Sequence, residues 1–214
     1  MKPNPIDYSL YLVTDLGLSR GRTTLEIVSA AVSGGVTCVQ LREKTATTRE
    51  FIREALKLKK YLRSVTVPLI INDRLDVALA VGADGVHLGR NDMPLEMARA
   101  IVGDRMIIGI SVESLEDAVA AESGGADYLG VSPIFATPTK TDAAPALGVA
   151  GLRIIRQAVS LPLVGIGGLH SGNAAEIIRN GANGVAVVSA IVAAEDPMQA
   201  ARDLKSVIAK ARQQ

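Results

Sequence analysis

Residues 38–71 contain, in order, Cys38-Val39-Gln40-Leu41, Glu50-Phe51-Ile52-Arg53-Glu54-Ala55-Leu56-Lys57-Leu58 and Pro68-Leu69-Ile70-Ile71. The outer two pieces are short, largely apolar runs. The middle piece places apolar residues on one helical face and charges on the other. Buried strand, covering helix and second buried strand make a parallel β-α-β unit, because the crossover helix must pack back onto the sheet it connects.

Working outward, the same alternation extends in both directions. Apolar runs occur at Leu10 to Thr14, Cys38 to Leu41, Pro68 to Ile71, Gly85 to Leu88, Met106 to Ile110, Tyr128 to Val131, Pro162 to Ile166 and Gly184 to Val188. Periodicity alone is compatible with an open, doubly wound sheet. Eight units in 214 residues, about 27 each, favour the closed alternative. The expected fold is therefore α/β, a (β/α)8 TIM barrel forming a single domain over residues 1–214.

A weak internal repeat marks the units. Gly34-Gly35-Val36, Gly82-Ala83-Asp84-Gly85-Val86, Gly125-Ala126-Asp127-Tyr128-Leu129 and Gly181-Ala182-Asn183-Gly184-Val185 are each expected to end a helix and begin an even-numbered strand. Glycine tolerates the left-handed conformation that stops a helix, so these residues read as punctuation rather than ligand loops. Strands three and seven are expected to open with Val67-Pro68 and Leu161-Pro162, where proline loses no interior ladder bond.

Composition narrows the function. Lysine and arginine total 23 against 22 acidic residues, a balance that offers no electrostatic footprint for nucleic acid or an anionic membrane. No apolar run approaches the roughly 20 residues that span a bilayer. Met1 to Tyr8 lacks the apolar stretch of a secretory signal, and the single cysteine, Cys38, sits in an apolar run. These features lead to the expectation of a cytoplasmic protein in a reducing compartment, with Cys38 as packing.

In such barrels chemistry gathers at the carboxyl ends of the strands. Strand two ends Gln40-Leu41-Arg42-Glu43-Lys44, and a two-residue period puts Gln40, Arg42 and Lys44 on one side, where two cations can converge on one anion. Strand three ends Asn72-Asp73, and strand four is followed by Gly89-Arg90-Asn91-Asp92. Asp73 alone would serve to cap the next helix. Two carboxylates at neighbouring strand ends suit Mg2+, which takes oxygen ligands together with substrate phosphate. Only two histidines, His87 and His170, are present, and neither is assigned a catalytic role. The long segment Phe135 to Pro145 contains Thr137, Thr139 and Lys140, suited to wrapping a phosphate. Gly167-Gly168 after strand seven and Val188-Ser189 after strand eight occupy the places where barrels commonly bind phosphate through backbone amides.

Taken together, Gln40-Leu41-Arg42-Glu43-Lys44, Asn72-Asp73, Gly85-Val86-His87-Leu88-Gly89 with Asp92, Gly109-Ile110-Ser111, Thr137-Pro138-Thr139-Lys140 and Gly167-Gly168 give the chain a close resemblance to the thiamin phosphate synthase family, from about Tyr11 to the end of the last helix. The resemblance implies joining a hydroxymethylpyrimidine diphosphate to a thiazole phosphate, with release of diphosphate. It further implies that Gln40, Arg42, Lys44, Asn72, Ser111 and Lys140 contact the pyrimidine diphosphate, that Asp73 and Asp92 ligate Mg2+, and that Thr137, Thr139, Gly168, Val188 and Ser189 hold the thiazole phosphate. Arg42, Lys44, Ser111 and Lys140 are the expected catalytic groups. Val112-Glu113 departs from the small residue, often followed by histidine, expected after Ser111, a difference that bears on pocket shape. Two alternatives are a thiazole tautomerase, which would not need Asp73, Asp92 and Thr139-Lys140, and a non-catalytic phosphometabolite sensor, which would not need paired carboxylates. A phosphosugar isomerase would need an acid/base pair that the sequence does not offer. The expected partners are the two small-molecule substrates, with a homo-oligomer left open.

Overall fold

The structure, a computed structural model, describes residues 6–137 and 145–213. Eight strands form a closed parallel barrel in chain order: β1 (Leu10–Val13), β2 (Cys38–Leu41), β3 (Leu69–Asn72), β4 (Gly85–Leu88), β5 (Ile107–Val112), β6 (Tyr128–Val131), β7 (Leu163–Ile166) and β8 (Gly184–Val187). Closure is explicit in the register, where Leu10 pairs with Val185 and Leu12 with Val187.

The outer layer comprises α1 (Thr24–Ser33), α2 (Thr48–Ser64), α3 (Leu75–Val81), α4 (Leu95–Val102), α5 (Leu115–Ser123), α6 (Gly148–Ala158), α7 (Ala174–Arg179), the short α8 (Ser189–Val192) and α9 (Pro197–Ala211). Helices α1 and α2 start with reciprocal capping boxes, Thr23 with Glu26 and Thr47 with Glu50. Each cap satisfies amides that the first helical turn leaves without partners, and contributes about 1 kcal/mol.

The glycine repeat does stop helices: Gly35, Gly82, Gly125 and Gly181 have φ of 108°, 61°, 86° and 102°. The residue after each glycine-led turn has a second role that the repeat did not disclose. Thr37, Asp84, Asp127 and Asn183 accept side-chain hydrogen bonds from the amides of Leu10, Leu69, Ile108 and Leu163, at 3.1, 2.8, 2.8 and 2.9 Å. Each even strand is thereby tied to the start of the strand before it. Gly85 and Gly184 are strand residues, not caps, and a Cβ on Gly184 would sit 1.7 Å from the Tyr8 carbonyl oxygen.

The structure moves several strand bounds: β3, β5 and β7 each begin one residue later than the apolar runs, and β2 ends at Leu41, before Arg42. β3 and β7 begin at Leu69 and Leu163, so Pro68 and Pro162 precede the strands. Their carbonyls still accept from the amides of Val39 and Leu129, at 3.1 and 2.9 Å, which lets proline join the ladder without donating. β5 continues to Val112, which places Ser111 within a strand.

Packing divides into two layers. The larger apolar layer fills the space between strands and helices, and a smaller one, including Tyr8, Tyr11, Cys38, Ile70, Ile107, Tyr128, Val164 and Ala186, fills the barrel interior. Cys38 is a free, buried thiol whose pKa burial pushes up, in keeping with a packing role. The Tyr128 ring fits only because β5 presents Gly109, where a Cβ would lie 2.1 Å from the ring.

Candidate active site

A cavity of about 790 Å3 opens at the carboxyl ends of the strands. Gln40, Arg42, Lys44, Asp73, Asp92, Ser111, Thr137, Gly168, Val188 and Ser189 all line it. Asn72 does not: it is buried at the end of β3, in register with His87. Thr139 and Lys140 lie outside the described residues.

β2 ends at Leu41 rather than running on to Lys44, and Lys44 sits in a bend, yet Gln40, Arg42 and Lys44 all reach the cavity. Each cation has a carboxylate partner. Arg42 meets Asp15 at 2.7 Å, and Lys44 meets Asp73 at 2.5 Å. Asp15, which follows β1, was not among the expected site residues. It becomes a neighbour of Arg42 only because β1 and β2 pair side by side, with Val13 opposite Gln40.

Asp73 does not cap α3. The N-cap of that helix is Arg74, without a side-chain cap bond. Instead Asp73 adopts a left-handed φ of 63° and donates its amide to the His87 carbonyl at 2.8 Å. A non-glycine residue in that region carries backbone strain, although aspartate tolerates it better than most. The turn brings its carboxylate beside that of Asp92. Burial raises the Asp92 pKa; the amide of Gly89, donating to Asp92 Oδ2 at 2.7 Å, works against that, and Asp73 raises it again. Two crowded, partly buried acids favour a cation between them. Among the described residues no group of three or more His, Cys, Asp or Glu side chains is placed to hold a metal. The donor set is therefore two carboxylates, which fits Mg2+ completed by phosphate and water rather than an all-protein cage.

The opposite wall is built from backbone. Gly167 and Gly168 have φ of 103° and 64°, and added Cβ atoms would come within 2.8 Å of Pro133 and of the Ala136 carbonyl oxygen, respectively. Both positions thus require glycine for conformation and for close approach. Among the described residues no acceptor takes the amides of Gly168 or Ser189, so both remain available to an anion.

The cavity floor was the part missed from sequence. Tyr11, His87 and Tyr128 all line it. The Gln40 side-chain amide donates to the Tyr11 hydroxyl at 3.0 Å, which lies 2.9 Å from the Tyr128 hydroxyl. Tyr128 lies 2.8 Å from His87 Nδ1, and His87 Nε2 lies 2.9 Å from Ser111 Oγ. Strand alternation points these side chains inward, but only closure of the barrel makes them neighbours. Gly130 leaves room for the imidazole, since a Cβ there would lie 2.9 Å from its Cε1. His170 has a local role, with its Nδ1 accepting from the Gly172 amide at 3.1 Å. At the rim, Glu113 meets Arg90 at 3.2 Å. The unexpected residue after Val112 thus forms an ion pair at the pocket edge.

Known proteins resemble this chain over nearly its whole length. The family model described as thiamine monophosphate synthase matches residues 10–191. The thiamine-phosphate synthase of Chloroflexus aurantiacus is 55% identical over 203 residues, covering 95% of this chain and 94% of that protein. That of Albidiferax ferrireducens is 57% identical over 199 residues, covering 93% and 91%. The solved structure of thiamine phosphate pyrophosphorylase from Pyrococcus furiosus superposes with a TM-score of 0.89 at 42% identity, covering 96% and 97% of the two chains.

Proposed function

The chain belongs to the thiamine monophosphate synthase family, and from that premise we propose that it is a transferase that makes thiamin phosphate. Its substrates on this reading are hydroxymethylpyrimidine diphosphate and thiazole phosphate. The single observation that supports this best is one cavity lined by Arg42 and Lys44, by the adjacent carboxylates of Asp73 and Asp92 and, opposite them, by the free backbone amides of Gly168 and Ser189. That arrangement suits one diphosphate and one monophosphate held in the same pocket. The tautomerase and sensor alternatives gain no support from the relatives found.

Asp73 and Asp92 are the residues that would hold Mg2+, which when bound would supply positive charge to the diphosphate oxygens. Arg42 and Lys44, with Lys140 from outside the described residues, would add to that charge. In the proposed reaction the bond between the pyrimidine methylene carbon and the diphosphate oxygen breaks, and its electron pair leaves with diphosphate. The electron-rich aminopyrimidine stabilises the resulting cation, so the site needs charge neutralisation more than a strong base. The thiazole nitrogen then donates its lone pair to the methylene carbon. Gly168, Val188, Ser189, Thr137 and Thr139 would anchor the thiazole phosphate and align that nitrogen for attack. Ser111 and Gln40 would orient the pyrimidine from the floor. Asn72, though not on the cavity surface, would act from its place beside Asp73.

No helix among the described residues is long and apolar enough to cross a membrane. We place the activity in the cytoplasm, where both substrates would be small soluble molecules. The test is direct: purified protein supplied with both substrates and Mg2+ should release diphosphate and form thiamin phosphate. Folded protein that forms no product would overturn the reading.

A further inference from the structure

The hydrogen-bonded floor does more than close the barrel. Gln40, Tyr11, Tyr128, His87 and Ser111 form a continuous line across the interior, joining two polar groups on opposite walls. Tyr11 and Tyr128 are 1% and 0% exposed, so their hydroxyls have no water to turn toward. Each hydroxyl has one proton, and that limit gives the line a direction.

The Gln40 amide donates to Tyr11, so the Tyr11 proton must go elsewhere. The Tyr128 oxygen at 2.9 Å and the Cys38 thiol are its neighbours, and a phenol oxygen is the stronger acceptor. Tyr128 then donates its own proton to His87 Nδ1. A neutral imidazole accepting at Nδ1 carries its hydrogen on Nε2, which donates to Ser111 Oγ. The Ser111 hydroxyl proton is thereby left to point into the cavity. At the other end, no described residue donates to Gln40 Oε1. Among the described residues no fully buried side-chain oxygen lacks a partner, so Oε1 faces the open cavity as an acceptor.

We propose that Tyr11, Tyr128 and His87 are positioning residues that form a one-way hydrogen-bond relay, presenting Gln40 as an acceptor and Ser111 as a donor to the substrate at the cavity floor. The relay selects a heteroaromatic with an amine facing Gln40 and a lone pair or anionic oxygen facing Ser111. This inference deepens the synthase reading and rests on it for the identity of the substrate, whereas the polarity of the relay is a property of the protein alone.

Nitrogen-15 NMR of histidine-labelled protein without substrate decides the polarity, with a His170→Asn variant assigning the two imidazoles. The expected result is His87 neutral with its proton on Nε2. A proton on Nδ1 would mean that the line runs the other way, through Cys38, and would overturn the proposal. Tyr128→Phe keeps the ring and removes the hydroxyl. It should give a mixed His87 tautomer and raise KM for the pyrimidine diphosphate about tenfold, the size of one mispaired hydrogen bond, with KM for the thiazole phosphate within about twofold. Equal shifts in both KM values, or none, would also overturn it. Should Tyr128→Phe fail to fold, Tyr11→Phe and the wild-type tautomer carry the test. A correct tautomer in a protein that makes no thiamin phosphate would sink the synthase reading and leave the relay standing.

Discussion

Lys44 Nζ lies 2.5 Å from Asp73 Oδ2, so a cation proposed to meet the diphosphate and a carboxylate proposed to hold Mg2+ are each other's partners. Binding a magnesium-diphosphate complex would exchange these partners without leaving either charge uncompensated: the carboxylate turns to the metal and the ammonium to phosphate. The pair is partly exposed, with the lysine side chain 53% accessible, so its own contribution to folding is small.

Asp73→Ala should therefore separate activity from stability. Turnover is expected to fall by about a hundredfold or more, because charge stabilisation at a departing diphosphate amounts to several kcal/mol. The melting temperature should move by only a few degrees, since the lost ion pair is weak. Steady-state assays beside thermal melts check this, and an unaltered rate would remove Asp73 from the metal site.

Asp92→Asn should stabilise the metal-free protein at neutral pH. Burial and the neighbouring Asp73 raise the folded-state pKa of Asp92, so between its unfolded and folded values the native state binds more protons than the unfolded chain. Stability contributed by this carboxyl then falls as pH rises through that window, and the penalty persists above it. Asparagine carries no such charge and can still accept from Gly89. Melting curves without metal should show the variant above wild type at neutral pH, the gap closing in acid. Added Mg2+ should raise the melting temperature of wild type only.

Asp15→Asn tests the neighbour that sequence reasoning missed. Asp15 holds the Arg42 guanidinium at 2.7 Å, and removing the charge frees that side chain to wander. KM for the pyrimidine diphosphate should rise about three- to tenfold, with the thiazole phosphate unaffected, as expected for loss of one charge-assisted hydrogen bond. A KM change confined to the thiazole phosphate would contradict it.

Gly109→Ala should damage the fold itself. Its methyl group would meet the fully buried Tyr128 ring at 2.1 Å, and overpacking of this kind typically costs about 1–3 kcal/mol or more. Urea denaturation is the measurement, and an unchanged midpoint would show that the floor can yield.

Local pattern decides a great deal here. The alternation of apolar runs with amphipathic segments made the barrel readable, because a parallel strand and its covering helix each bear a periodicity that short stretches of chain reveal. The two-residue period pointed to Gln40, Arg42 and Lys44 as one group, and all three line the cavity although β2 itself ends at Leu41. Asp73 shows the limit: as a residue preceding a helix it read equally well as a cap, and only its left-handed backbone turned it toward Asp92.

From the amino-acid order alone came the eight units, the end of the barrel where chemistry gathers, and four of the charged groups that line it, Arg42, Lys44, Asp73 and Asp92. The tertiary structure alone decided that Asp15 restrains Arg42 and that Tyr11, Tyr128 and His87 link Gln40 to Ser111. The physical reason is closure. Those side chains come from β1, β2, β4, β5 and β6 or, for Asp15 and Arg42, from just past the ends of β1 and β2, and their mutual distances depend on how the strands are staggered around the ring, a relation that no single stretch of chain encodes.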